Sequence, residues 1–126
     1  MGFSKGLYGF FIDPDTLTRK ELSDTYQENK TGIFPNRIRS PKLLQYAREY
    51  FKCPTMEGVP VEDEGGSGSA GSHWEKLILG NEVMVADTVA NPIVSAFTLK
   101  LLEDSGWYNI NWSMEEPIFW EKGVGC

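Results

Sequence analysis

The sequence predicts an α+β fold from three observations: two stretches of helical periodicity, irregular Gly- and Pro-punctuated chain between them with room for a few short strands, and no heptad or internal repeat. At 126 residues the chain is about one domain long. Apolar residues at 40% and aromatics at 13% suffice for a core, which excludes a disordered chain. Twelve Lys plus Arg against eighteen Asp plus Glu give a net charge of -6, the wrong sign for a phosphate-neutralising surface. Nucleic acid is therefore not an expected partner.

Residues 1–12 carry Phe3, Leu7, Tyr8, Phe10, Phe11 and Ile12 between glycines and read as a buried, irregular entry segment. From Asp13-Pro14-Asp15 to about Phe34 the composition is polar and bounded by turn residues, so a surface excursion is expected. Ser40-Pro41 signals a helix start, with Ser as cap for free amides and Pro at the first position, where its missing N–H costs nothing. Leu43, Leu44, Ala47, Tyr50 and Phe51 recur at helical spacing, and Pro54 ends the helix near Cys53. The stretch Gly65-Gly66-Ser67-Gly68-Ser69-Ala70-Gly71-Ser72 has the composition of a flexible linker. Leading straight into His73-Trp74, it equally suits a tightly turned backbone at a site.

A second helix is expected from an Asn91 cap and Pro92 to Ser105, with Gly106 as its stop and Ile93, Val94, Phe97, Leu101 and Leu102 as its core stripe. The aromatic tail (Trp107, Tyr108, Trp112, Phe119, Trp120) is expected to be mainly core, with a contact surface as the alternative.

Candidate chemistry is narrowed by His73 being the single histidine. No G-x-S-x-G elbow or Cys-nucleophile signature accompanies it, so triad hydrolysis is not expected. A catalytic zinc site takes three protein ligands, which this chain cannot assemble from one imidazole, scattered carboxylates and two distant thiols. A lone histidine is by default structural or exposed, and Met84 by default a gap-filling core residue. The run Glu62-Asp63-Glu64 lacks calcium-loop spacing and reads as a solvated face with no metal. Cys53 and Cys126 leave two alternatives open, one long-range disulfide or two free thiols. Asn29-Lys30-Thr31 and Asn111-Trp112-Ser113 are glycosylation sequons, at Asn29 and Asn111. Residues 1–6 lack the features of a secretory or myristoylation signal, and no window approaches the roughly 20 apolar residues of a membrane helix.

Several blocks in one order resemble the leishmanolysin family of zinc metalloendopeptidases. They are Phe51-Lys52-Cys53-Pro54-Thr55-Met56-Glu57-Gly58-Val59, Glu62-Asp63-Glu64-Gly65-Gly66-Ser67-Gly68, Gly71-Ser72-His73-Trp74-Glu75-Lys76, Leu101-Leu102-Glu103-Asp104-Ser105-Gly106-Trp107-Tyr108 and Trp120-Glu121-Lys122-Gly123-Val124-Gly125-Cys126. The resemblance spans most of the chain and is weakest over about 13–39. It implies part of a metzincin catalytic domain, in which zinc is held by the two histidines of H-E-x-x-H and a third histidine downstream, above a Met-turn.

By resemblance Gly2 matches the glycine that ends the active-site helix, His73 the third zinc ligand and Met84 the Met-turn methionine. Residues 1–72 are then an insertion subdomain following that helix, and 73–126 the C-terminal part of the catalytic domain. A Cys53–Cys126 disulfide is also implied. The stretch 85–93 is expected to line a substrate side-chain pocket, with Val85-Ala86-Asp87 departing from the Thr and Gly the family more often has there.

The H-E-x-x-H segment is expected immediately before Met1, so the 126 residues alone should be inactive and need a missing N-terminal half. The implied activity is hydrolysis of a protein or peptide substrate by zinc-activated water, in a secreted or cell-surface protein. The chain then reads, in this order, as a truncated peptidase, a separated subdomain, or a pseudopeptidase remnant. A non-catalytic interaction module is the competing class.

Overall fold

The computed structural model describes residues 3–32 and 35–126, and it has the mixed α+β architecture that the sequence predicts. The described residues form four helices, α1 (Leu22–Thr25), α2 (Pro41–Phe51), α3 (Lys76–Leu79) and α4 (Ala96–Asp104), and a small sheet of β1 (Tyr26–Gln27), β2 (Arg37–Ile38) and β3 (Val59–Pro60). The sheet is antiparallel in the order β1-β2-β3, with Tyr26 opposite Ile38 and Ile38 opposite Val59. That row of three buried side chains joins the core. Among the described residues no helix is long and apolar enough to cross a membrane.

The centre of the molecule is the crossing of α2 and α4, where the Phe97 ring meets Tyr46 and Tyr50, each at 5.0 Å between centroids, and Phe51 at 5.5 Å. On α2, Leu43, Leu44, Ala47, Tyr50 and Phe51 are buried, as their spacing predicts. Its first turn is capped differently from the expectation. Ser40 holds the cap position but its hydroxyl makes no cap bond and is buried without a hydrogen-bond partner. The free amides go to Asp104, at the far end of α4, whose carboxylate accepts from the N–H groups of Leu43 (3.0 Å) and Lys42 (3.3 Å). A carboxylate serves better than a hydroxyl there because its charge also faces the positive end of the helix dipole. Lys52 ends α2 in the left-handed conformation, placing Cys53 just beyond the helix.

The second helix begins later than predicted. Asn91 has φ 52° and cannot open a helix. The following residues run extended, with Ile93 N–H donating to the Asn81 carbonyl (3.0 Å) and Ile93 accepting from Val83 N–H (2.8 Å). Ser95 is the cap, its hydroxyl accepting from Phe97 N–H at 3.2 Å. Tertiary pairing thus overrode the Asn-Pro signal, and Ile93 and Val94 are half-buried outside the helix. Gly106 does stop it, at φ +74°, where a Cβ would lie 2.2 Å from the Ile12 carbonyl oxygen.

In the entry segment Phe3, Tyr8 and Phe11 are buried, while Leu7 and Phe10 are exposed and Arg19 covers the Phe10 ring. The supposed excursion is exposed over most of its length but dives inward at Thr25 and Tyr26. Of the aromatic tail only Trp107 packs inward, edge-on to Phe11; Tyr108, Trp112, Phe119 and Trp120 are exposed, against the expectation of core. The end of the chain is strapped to α2. Gly123 and Gly125 donate their N–H groups to the Tyr50 and Phe51 carbonyls, and a Cys53–Cys126 disulfide settles the cysteine question in favour of one bridge.

Two stability measurements follow from these tethers. Asp104→Ala should lower unfolding stability by about 2 kcal/mol in urea, whereas Ser40→Ala should change it little. Replacing both cysteines by serine should cost about 4 kcal/mol, because the bridge closes a long loop in the unfolded chain.

Candidate functional site

The Gly/Ser stretch is not a linker. Val61 and Trp74 form an antiparallel bridge, Glu62 N–H donates to the His73 carbonyl (2.9 Å) and Gly71 N–H donates to the Glu62 carbonyl (2.7 Å), so residues 62–73 close into a compact loop. Gly71 sits at φ +72° with Lys5 side-chain atoms 3.2 Å from where a Cβ would be, and its carbonyl accepts from the buried Tyr8 hydroxyl at 2.8 Å. A side chain here would be strained by the positive φ and crowded by Lys5, which is why composition mimics a linker where the chain is tightly held. Burial pushes the Tyr8 hydroxyl well above the usual phenol range, so it stays a donor.

This loop delivers His73 in a defined orientation. The imidazole Nδ1 lies 3.2 Å from the Ser69 carbonyl oxygen. A carbonyl only accepts, so Nδ1 carries the proton and, in the neutral ring, the Nε2 lone pair is left for a ligand. Metal-binding histidines are commonly fixed in this way by a backbone carbonyl.

Next to it, Trp74 is fully buried, with the Phe3 ring edge-on at 4.6 Å. Its backbone N–H donates to the Met84 carbonyl (2.9 Å), and Trp74 forms a parallel bridge with Val85. The two residues singled out as third ligand and Met-turn methionine are therefore on adjacent backbone segments, each one residue before a partner of the Trp74–Val85 bridge. Met84 itself is half-buried against the core.

What holds the Met84 turn is Glu82, a residue that sequence reading did not single out. Its carboxylate has no solvent exposure. One oxygen, Oε2, accepts from Met84 N–H at 2.6 Å; the other, Oε1, accepts from Thr98 Oγ1 (2.5 Å), Ser95 Oγ (3.0 Å) and Ser95 N–H (3.3 Å). Thr98 Oγ1 in turn accepts from the Trp74 indole N–H at 2.9 Å. The bonds form a closed circuit from Trp74 N–H through Met84, Glu82 and Thr98 back to the Trp74 indole. The available signal was an acid set between Leu79 and Val83, facing Ser95 and Thr98 one helical turn apart.

Other candidates are placed as follows. Gly2 lies outside the described residues. Asp87, in the segment departing from the family pattern, pairs with Lys76, which holds its carboxyl below the usual range. Asn29 and Asn111 each accept, through Oδ1, from the backbone and hydroxyl of the Thr31 or Ser113 two residues on. Glu62, Asp63 and Glu75 bring carboxylate oxygens within 4.8 Å of one another, and burial followed by these like charges raises Glu75. A zinc site needs three protein ligands and an open position. His73 has the chemistry of one such ligand, and the acidic trio, the only potential metal-holding group among the described residues, does not include it. One imidazole can fill one position of such a site.

Burial raises the Glu82 carboxyl above its ordinary value of 4.5, although its four hydrogen bonds pull the other way. Its folded form then binds its proton more tightly than the unfolded chain, so this group's contribution is full below the unfolded value and declines as pH rises through the raised one. In urea unfolding from pH 4 to 8, wild type should lose stability relative to Glu82→Gln as pH rises.

The leishmanolysin model of the M8 peptidases matches residues 10–126. The leishmanolysin-like peptidase of Drosophila pseudoobscura pseudoobscura is 36% identical over 155 residues, covering all of this chain and 23% of the relative, and that of Drosophila melanogaster is 35% identical over the same extents. The leishmanolysin of Leishmania major is 37% identical over 89 residues, 71% of this chain and 15% of the relative. The chain thus spans less than a quarter of the length of these relatives. A family match over nearly all the chain, together with the ordered sequence blocks, leads to one conclusion: this chain belongs to the leishmanolysin family of peptidases.

Proposed function

We propose that these 126 residues form the third-histidine and Met-turn part of a zinc metalloendopeptidase site. His73 binds the metal through Nε2, Met84 packs beneath it, and Gly2 corresponds by resemblance to the glycine that follows H-E-x-x-H in the family. The other two imidazoles and the general-base glutamate come from an H-E-x-x-H segment outside these residues, so the chain alone is inactive. Residues 1–72 act as the insertion subdomain that follows the active-site helix, and residues 73–126 complete the catalytic domain. The observation that carries this reading is the Ser69 carbonyl, which pins Nδ1 of the single histidine and leaves the Nε2 lone pair for a ligand, on a loop whose next residue, Trp74, bonds to Met84.

When bound, zinc supplies a Lewis acid for a carbonyl and lowers the pKa of water. The chain's own contribution is to orient one ligand and shape a wall for a protein or peptide substrate. A shallow cavity of about 680 Å³, lined in part by Thr88, Val89, Ala90, Leu77 and Trp120, lies on the segment assigned to that wall. Its apolar side chains suit an apolar residue of the substrate. The long-range disulfide favours an oxidising compartment, in keeping with a secreted or cell-surface protein glycosylated at Asn29 and Asn111.

The test is a chimera in which these residues replace the matched stretch of the Drosophila melanogaster relative, secreted from a eukaryotic host beside the unaltered relative. It should carry one zinc and cleave casein in a chelator-sensitive manner, and His73→Ala should reduce cleavage by about 100-fold or more. A folded chimera without zinc or activity would contradict the proposal, as would zinc-dependent proteolysis by the 126-residue chain alone.

A further inference from the structure

Glu82 is costly to bury, and its partners among Met84, Ser95 and Thr98 are uncharged, so no ion pair repays the desolvation. An apolar residue would fill the same space without that penalty. What the carboxylate adds is geometry, since its two oxygens serve two different parts of the site. Oε2 fixes the amide of Met84, and Oε1 fixes the first turn of α4 through Ser95 and Thr98. Thr98 both donates to Glu82 and accepts from the Trp74 indole, which fixes the direction of the relay. Trp74 is thereby held at its backbone by Met84 and at its ring by Thr98. A residue held at both ends cannot rotate or slip along its neighbour, and His73 is the residue immediately before it.

We propose that Glu82 is a positioning residue of the metal site, locking the His73–Trp74 segment in register with the Met84 turn through the closed Trp74–Met84–Glu82–Thr98 circuit. It touches neither metal nor substrate. The inference rests on the reading of His73 as a zinc ligand for its consequence, and on the circuit alone for its structural part. An amide at position 82 retains one acceptor oxygen but presents an N–H₂ group to donors on the other side, so Glu82→Gln breaks the circuit with almost no change in volume.

The experiment has two arms. In the 126-residue chain, hydrogen exchange followed by NMR should show the Trp74 amide, the Trp74 indole N–H and the Met84 amide exchanging about 10- to 100-fold faster in Glu82→Gln, with the Ala47 and Phe51 amides of α2 unchanged. Thr98→Val, which removes the relay hydroxyl, should reproduce this pattern, and Thr98→Ser, which keeps it, should retain protection of the indole. In the zinc-loaded chimera, Glu82→Gln should weaken zinc binding by about 10-fold, the size of effect seen when a metal ligand loses its supporting shell, and lower kcat with KM unchanged. Exchange that rises uniformly across α2 and the circuit, or does not change at all, overturns the proposal, as does a Glu82→Gln chimera with unaltered zinc affinity and kcat. If the exchange pattern appears but the wild-type chimera takes up no zinc, the zinc reading of His73 has failed while the locking of the segment by Glu82 stands.

Discussion

A carboxylate removed from water must be met by donors, and the way Glu82 meets that requirement organises this molecule. The donors that reach it come from the turn at Met84 and from the start of α4, so satisfying one side chain joins two segments that the sequence separates by more than a helical turn. The indole of Trp74 extends the connection to the loop that carries His73. Loosening any of these bonds leaves a buried polar atom unpaired, which makes the arrangement cooperative rather than a sum of contacts.

Asp104 shows the same principle at the other end of α4. There the carboxylate accepts the first free amides of α2, so each end of α4 is tied through a buried acid, to the Met84 turn at one end and to α2 at the other. The Phe97 face between them packs on Tyr46, Tyr50 and Phe51. The C-terminal strap and the Cys53–Cys126 bridge close the far side of α2. Residues before and after His73 consequently share one core, and the supposed insertion is bound into the same folded unit as the segment bearing His73.

How much of this was legible in the sequence depended on whether the signal was local. The α2 stripe was readable because its burial follows its own period, as was the Gly106 stop, which needs only a positive φ. The cap of α2 was misread because a serine in the right place was outcompeted by an acid some sixty residues away. The start of α4 was misread because Ile93 and Val94 pair with the Asn81–Val83 turn, leaving Asn91 in a left-handed conformation. His73, Met84 and the disulfide were found through resemblance, whereas Glu82 was passed over because an acid set among apolar neighbours does not by itself show that Thr98 and Ser95 reach it. The glycines around Gly65–Gly71 illustrate the ambiguity of composition, since the residues that make a linker flexible also permit a tightly closed loop.

The central claim is that the fold presents His73 as a ligand-ready imidazole, and its most direct test is the tautomer of that ring. Long-range ¹H–¹⁵N NMR of the 126-residue chain with the ring in its neutral form distinguishes the two nitrogens. The account predicts a protonated Nδ1, bonded to the Ser69 carbonyl, and an unprotonated Nε2. A ring with the proton on Nε2, or one averaging freely between both forms, would contradict it.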